Sequence, residues 1–148
     1  MVHIYVSDVI DAPVDRVWAL IRDFNGMPNW HPFITDSHIE DGKPSDAVGC
    51  VRNFHLGNGG HLREQLLSLS DRDYSCVYKI LESPMPVTGY VAGYQLREIT
   101  EGDRSFIEWW ADFEVDPRHE AAIVDQVRNG TFRRAFQAIK EKLAGAAA

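Results

Sequence analysis

The chain has 148 residues, of which 45% are hydrophobic and 25% charged, and its formal net charge at pH 7 is −7. This length and composition predict a single globular domain over residues 1–148 and exclude a disordered chain. The negative charge argues against nucleic acid and anionic membranes as partners. The sequence shows neither a secretory signal pattern nor a run of about 18 apolar residues. We therefore expect no membrane span, a cytoplasmic location, and a monomer or weak homodimer.

Two elements are predicted at the start of the chain. Residues 2–10 are rich in β-branched and aromatic side chains, which is typical of a strand. Four apolar residues between positions 14 and 21 recur at helical spacing, and Pro13 suits the start of a helix. The glycine and prolines that come next limit residues 27–31 to one further helical turn.

The middle of the chain, from residue 33 to residue 115, carries the signals of a sheet. Short turns rich in glycine, proline and aspartate separate apolar segments, and such turns join neighbouring strands antiparallel. The predicted strands are 33–40, 48–56, 61–69, 74–82, 87–99 and 104–115. After Pro117, residues 118–143 contain no proline and show the apolar stripe of one long amphipathic helix.

Together these elements predict an α+β fold: a curved, seven-stranded antiparallel sheet around one long C-terminal helix, with two short helices after the first strand. The long helix is the only large element that can cover the apolar face of the sheet. Because side chains alone do not easily fill so wide a sheet, we expect a cavity between the sheet and the helix. Gly130, in the middle of the helix, is expected to leave room for a ligand.

The turn at residues 57–60 predicts which side chains share one face of the sheet. If the turn is centred near Asn58, Phe54 pairs with Leu62 and Arg52 pairs with Glu64, and paired residues point to the same face. A charge pair on a face that is otherwise apolar is informative, because an unpaired buried charge is prohibitively unstable. The pair is expected to be buried on the cavity side, with either a structural or a functional role.

The turn at residues 100–103 predicts a second set of neighbours. It pairs Tyr94 with Trp109 and Ala92 with Ala111, and it brings Tyr90 opposite Phe113. Aromatic rings around two alanines suggest a recess in which a ligand could bind, although core packing would give the same pattern. Trp110, on the opposite face, could instead anchor a protein partner if the chain is an interaction module.

No motif of a known cofactor, nucleotide or metal site occurs in the chain. The six histidines show no metal-ligand spacing, and His55 and His61 fall on the face opposite to Arg52 and Glu64. Cys50 and Cys76, the only two cysteines, are expected to be buried core residues. We therefore expect neither a cofactor nor a metal.

Three segments resemble the SRPBCC superfamily, which includes START domains, polyketide cyclases and proteins like the birch-pollen allergen. They are IDAPVDRVWALIRDFNGMPNWHPFI, VGCVRNFHLGNGGHLREQLLSLSD and WWADFEVDPRHEAA. The nearest likeness is to bacterial relatives of the abscisic-acid receptor branch. The resemblance implies a helix-grip fold with mobile loops at the mouth of an internal cavity.

The resemblance also implies that Glu64 and Tyr90 face the cavity and that Arg52 lies beside it. A lysine and a glutamate of the receptor's pocket fall at Thr35 and Ala111, so a true abscisic-acid receptor is not expected. Residues 57–60 and 83–86 replace the receptor's two loop motifs.

Two functions follow from these observations. The first is binding or carriage of a small hydrophobic molecule, such as a lipid, an isoprenoid or a polyketide-like compound. The alternative is a polyketide cyclase, aromatase or dehydratase, with Glu64 as acid or base and Tyr90 or Arg52 stabilising an oxyanion. Arg52 is expected to lower the pKa of Glu64, which weakens the alternative. The residues expected to contact a ligand are Arg52, Phe54, Leu56, Leu62, Glu64, Leu66, Tyr78, Tyr90, Ala92, Tyr94, Trp109, Ala111, Phe113, Val127 and Thr131.

Overall fold

The computed structural model describes residues 1–147, which form seven strands and a long C-terminal helix. The strands are β1 (Val2–Ile10), β2 (Ile34–Ile39), β3 (Val51–Leu56), β4 (His61–Ser70), β5 (Ser75–Glu82), β6 (Val87–Ile99) and β7 (Arg104–Val115). Helix α1 (Val14–Ile21) and a short 3₁₀ turn (Met27–Asn29) lie between β1 and β2, and a second 3₁₀ turn (Glu40–Gly42) follows β2. The α+β helix-grip fold predicted from the sequence is confirmed.

All seven strands form one antiparallel sheet in the order β1-β7-β6-β5-β4-β3-β2. The first and last strands are neighbours, so β1 and β2 lie at the two edges although they are adjacent in sequence. Register shifts interrupt the pairing of β2 with β3, of β4 with β5, and of β6 with β7. Such bulges bend and twist a sheet, which helps this one to curve around the helix.

The C-terminal helix runs from residue 117 to residue 147 without a break, which confirms the predicted continuous helix. It consists of α2 (Pro117–Asp125), a π-helical segment (Gln126–Arg133) and α3 (Arg134–Ala147). Asp116 caps its start, since the side chain accepts a hydrogen bond from the backbone N–H of Arg118 at 2.9 Å.

Uniform α-helical spacing, which the sequence pattern suggested, does not hold in the middle of this helix. The π-helical segment contains Gly130, and glycine has the lowest helix propensity of all residue types except proline. Within it, the buried side chains of Val127 and Phe132 lie five residues apart, which is the spacing of a π-helical turn. Thr131 is consequently exposed rather than part of the buried stripe.

The core lies between the sheet and the helices. Cys50 and Cys76 are free thiols and fully buried in it, as predicted. Trp110 is half-buried on the outer face rather than exposed, and its ring packs over Gly93 of the neighbouring strand. No helix within residues 1–147 combines the length and the apolar character needed to cross a membrane.

Candidate functional site

A cavity of about 300 Å³ lies between the sheet and the C-terminal helix. Its walls come from the segment 27–34, strands β3 to β7, the loop at residues 83–85 and the π-helical part of the long helix. The cavity reaches the surface at one end, where the exposed residues Asn58, Pro84, Gly130 and Thr131 contribute to its lining. Two buried charges lie at its inner end, six residues from Asn58 along strands β3 and β4.

Those charges belong to Arg52 of β3 and Glu64 of β4, which stand opposite each other in the hairpin, as the sequence predicted. Arg52 Nε donates a hydrogen bond to Glu64 Oε1 at 2.8 Å, and Nη2 lies 2.7 Å from the same oxygen. The third guanidinium nitrogen, Nη1, donates to the backbone carbonyl of Phe24 at 3.2 Å. The two residues are only 3% and 5% exposed, so the predicted burial of the pair is confirmed.

Aromatic rings surround the guanidinium group of Arg52. Its central carbon lies 4.0 Å from the ring centroid of Phe24, 4.8 Å from that of Tyr78 and 5.6 Å from that of Phe54. Each ring offers the negative face of its π system to the cation. Together with Glu64, these rings stabilise a positive charge that is almost completely buried.

Two of the polar atoms in the cavity that have no hydrogen-bond partner among residues 1–147 belong to Glu64 and Tyr90. Glu64 uses only Oε1 to bind Arg52, and its second oxygen, Oε2, accepts no hydrogen bond. The hydroxyl group of Tyr90 is also without a partner. Both atoms keep some solvent-accessible surface, so a molecule in the cavity can reach them.

Burial raises the pKa of Glu64, and the opposing effect of Arg52 does not outweigh it. The sequence-based expectation of a lowered pKa was therefore wrong. That expectation considered only the charge partner, whereas the carboxyl group is also removed from water on almost every side. A carboxyl group with a raised pKa exchanges its proton more readily near neutral pH than an ordinary glutamate does.

Tyr78 and Tyr90, the tyrosines among the described residues of the lining, are neutral phenols. Burial is the main cause that raises the pKa of Tyr78 and of Tyr90. Tyr78 already accepts a hydrogen bond from Trp109 Nε1 at 3.1 Å. Tyr90 follows Gly89, which has a φ of +63°, at the bulge where the pairing of β6 with β7 shifts, and its ring stacks on Phe113 at 5.4 Å between centroids.

Nine of the fifteen residues expected to contact a ligand line this cavity, and their role in binding stays a prediction. They are Arg52, Phe54, Leu56, Leu62, Glu64, Tyr78, Tyr90, Trp109 and Thr131. The other six are buried but do not line it: Leu66, Ala92, Tyr94, Ala111, Phe113 and Val127.

The recess expected around Ala92 and Ala111 is filled by packed aromatic side chains. The predicted strand pairs are present, since Tyr94 stands opposite Trp109 and Ala92 opposite Ala111. Phe132 of the long helix, however, stacks on Trp109 with 5.3 Å between ring centroids, and the ring centroid of Tyr94 lies 4.6 Å from that of Trp109. The hydroxyl group of Tyr94 is also occupied, because it donates to the carbonyl of Ile21 at 2.8 Å.

Sequence reasoning did not predict the contribution of the segment between α1 and β2. Met27, Trp30, His31, Phe33 and Ile34 all line the cavity. Their apolar and aromatic character was the only available signal, and it does not distinguish a cavity wall from core. Other lining residues outside the predicted contact set are Asn58, Ile80, Ser83, Pro84, Met85, Gln126, Arg134 and Ala135. Of these, Asn58 and residues 83–85 belong to the two loops that the resemblance placed at the mouth of the cavity.

His31 is the only histidine in this lining. Its Nδ1 accepts a hydrogen bond from the backbone N–H of Phe33 at 3.2 Å, which leaves the ring proton on Nε2. Burial and then the charge of Arg134 lower the pKa of His31, so the ring is neutral at pH 7. His31 therefore adds a neutral side chain to the cavity and no positive charge.

No group of three or more metal-ligating side chains occurs within the described part of the chain. His55 and His61 stack on each other at 4.8 Å on the outer face of the sheet, where Asp36 and Asn53 are their hydrogen-bond partners. Thr35, at the position of the receptor's pocket lysine, is exposed and bonds to Asp36 and to the carbonyl of His55.

Similar folds occur in proteins from several bacteria. The protein XoxI from Bacillus cereus is 26% identical, with a TM-score of 0.87 and coverage of 100% of this chain and 99% of that one. A putative uncharacterized protein from Bacillus thuringiensis is 28% identical, with a TM-score of 0.84 and coverage of 95% and 97%. A protein from Nitrosospira multiformis is 26% identical, with a TM-score of 0.81 and coverage of 95% of each chain.

No curated protein matches the chain. The narrower likeness to the abscisic-acid receptor branch is not confirmed by these comparisons. A family model described as "Polyketide cyclase / dehydrase and lipid transport" matches residues 1–148, the whole chain. The protein therefore belongs to this family of SRPBCC-type proteins.

Proposed function

We propose that the chain binds a small, largely apolar molecule in the cavity between the sheet and the long helix. The observation that carries this proposal is a cavity of about 300 Å³ whose lining is mostly apolar and aromatic and whose inner end holds a few polar atoms. Ligand sites of proteins have this composition: apolar walls supply affinity, and a small number of polar groups orient the ligand. The description of the family, which includes lipid transport, supports the proposal.

The size of the cavity restricts the ligand. Its volume is at the lower end of the roughly 300–1,000 Å³ that ligand pockets span. A lipid with two long acyl chains does not fit inside, whereas a compound of two or three fused rings, or a short isoprenoid, does. Burial of such a ligand at about 25 cal/mol per Å² of apolar surface provides the main driving force.

Native mass spectrometry of freshly purified protein tests the proposal directly, because a ligand taken up during expression adds its mass to the folded protein. Fluorescence provides a second test. Trp30 and Trp109 line the cavity, whereas Trp18 and Trp110 do not. A ligand that enters should therefore change the emission in a saturable manner, and Trp109→Phe should remove part of that change.

A matched pair of glycine variants separates binding in the cavity from binding at the surface. Gly130 lines the cavity, and a Cβ atom there would come no closer than 3.8 Å to a neighbouring side chain. Gly145 lies on the same long helix with open space around it. Gly130→Leu should reduce cavity volume and weaken binding, while Gly145→Leu should leave binding unchanged. Equal binding by both variants would contradict the proposal.

One observation favours a second function, that of a cyclase, aromatase or dehydratase. Glu64 has a raised pKa and a free oxygen in the cavity, as an acid or base in such a reaction requires. Arg52 is the weaker candidate for stabilising an oxyanion, since the protein already supplies acceptors to three of its five N–H groups and Glu64 already balances its charge. Tyr90 is the better candidate for that role. Chromatography of polyketide-like ligands after incubation decides the matter: a cyclised or dehydrated product that is lost with Glu64→Gln would establish the enzyme.

A further inference from the structure

We propose that Glu64 and Tyr90 form a subsite for a hydroxyl group, so that the cavity selects an uncharged, hydroxylated apolar molecule and orients its hydroxyl group inward. This inference rests on the proposed function and specifies the chemistry of the ligand. It comes from comparing the polar groups of the cavity that already have a hydrogen-bond partner in the protein with those that have none.

The positive charge at the inner end of the cavity is already bound by protein groups. The guanidinium group of Arg52 makes two contacts with Glu64 Oε1 and one with the carbonyl of Phe24, and the Phe24 ring lies 4.0 Å from its central carbon. A carboxylate or phosphate group of a ligand would compete with Glu64 for this guanidinium group.

Glu64 and Tyr90 favour a hydrogen-bond donor instead. Glu64 Oε2 is an acceptor without a partner, and Tyr90 Oη can both donate and accept. In this subsite a hydroxyl group of a ligand donates to Oε2 and accepts from the hydroxyl group of Tyr90. A hydrogen bond to a charged partner is stronger than one between neutral groups. A methyl group in the same place leaves Oε2 buried without a donor.

An anionic group of a ligand would be repelled at this end, because it would face the negative oxygen of Glu64. Besides Arg52, Arg134 is the only lysine or arginine among the described residues that line the cavity, and it lies exposed at the rim with its guanidinium group 4.6 Å from the centroid of Phe33. A carboxylate-bearing ligand would therefore be held with its charge outward, which is the reverse of the orientation proposed for a hydroxyl group.

Three compounds on one ring system test the inference by isothermal titration calorimetry at neutral pH: 2-naphthol, 2-methylnaphthalene and 2-naphthoate. The first two have nearly the same shape and differ in the hydroxyl group. The wild-type protein should bind 2-naphthol about tenfold more tightly than 2-methylnaphthalene, which corresponds to about 1.4 kcal/mol, and more tightly than 2-naphthoate.

Glu64→Gln should reduce the preference for 2-naphthol to less than about threefold, since a glutamine that keeps its oxygen on Arg52 turns an N–H group toward the cavity. The same variant should bind 2-naphthoate more tightly than the wild type does. Glu101→Gln, which removes the same charge in the turn between β6 and β7, should keep the wild-type preferences.

Several results would overturn the inference and leave binding in the cavity intact: equal affinity for the first two compounds, tightest binding of 2-naphthoate, or an unchanged preference in Glu64→Gln. If that variant does not fold, Tyr90→Phe takes its place, and an undiminished preference for 2-naphthol would have the same consequence. Binding of none of the three compounds would contradict the proposed function itself and, with it, this inference.

Discussion

Replacement of Glu64 by alanine tests the energetic role of the buried charge pair. The substitution removes both contacts of Arg52 with Oε1, at 2.8 and 2.7 Å, and leaves a guanidinium group that is 3% exposed. Breaking a buried ion pair by removing one partner costs about 3–5 kcal/mol. Here we expect a loss near 3 kcal/mol, because the carbonyl of Phe24 and the surrounding rings remain, and the cavity admits water to the vacated space.

The free energy of unfolding, measured by urea denaturation with tryptophan fluorescence, gives this loss directly. Glu82→Ala is the matched control on the next strand. Glu82 contacts Arg63 at 3.1 Å but its side chain is 58% exposed, and Arg63 keeps its contacts with Glu40. The control should therefore lose less than about 1 kcal/mol.

A double variant distinguishes a stranded charge from the simple loss of a side chain. Arg52→Met combined with Glu64→Leu replaces both charges by apolar groups of similar size, which is often neutral or stabilising. It should recover most of the stability that Glu64→Ala loses. A loss below about 0.5 kcal/mol for Glu64→Ala would refute this reasoning, because it would mean that Arg52 does not depend on its partner.

Three further measurements address other parts of the structure. The pKa of Glu64 is raised, so the folded protein holds the carboxyl proton more tightly than the unfolded chain does. The stability of the wild type relative to Glu64→Gln should therefore decrease as the pH rises above about 4.5. An increase in that difference would contradict the raised pKa. Trp30→Phe should reduce the free energy of unfolding by less than its change in volume suggests, because Trp30 Nε1 is buried without a hydrogen-bond partner among residues 1–147. A reduction above about 3 kcal/mol, measured by thermal unfolding, would show that the indole N–H stabilises the fold. Gly93→Ala should destabilise by about 1–3 kcal/mol, since a Cβ atom would lie 2.9 Å from both the carbonyl of Cys76 and the ring of Trp110, while an unchanged melting temperature would show that these neighbours move aside.

The raised pKa of Glu64 also changes the balance between the two candidate functions. The sequence placed an arginine beside this carboxyl group and thereby suggested a poor base. In the folded protein, burial outweighs that arginine, and one carboxyl oxygen is left facing a cavity of ligand size. These two properties support the enzymatic alternative, and product analysis with Glu64→Gln distinguishes it from simple binding.

The sequence by itself determined the pairing of strands and the faces of the sheet. The hairpin turn at residues 57–60 joins strands that are close in the chain, so counting outward from it placed Arg52 opposite Glu64 and set His55 and His61 on the other face. The same count across the turn at 100–103 placed Ala92 opposite Ala111. Such predictions succeed because backbone hydrogen bonding allows few registers and side chains alternate strictly between the two faces.

Only the tertiary structure decided which of the inward-facing residues line a cavity. That outcome depends on where the long helix approaches the sheet: at Trp109 the ring of Phe132 closes the gap, whereas near Arg52 and Glu64 the gap stays open. The segment 27–34 then completes the wall from a distant part of the sequence. Alternation along a strand specifies a face but not the distance to the layer opposite, because packing between residues far apart in the chain sets that distance.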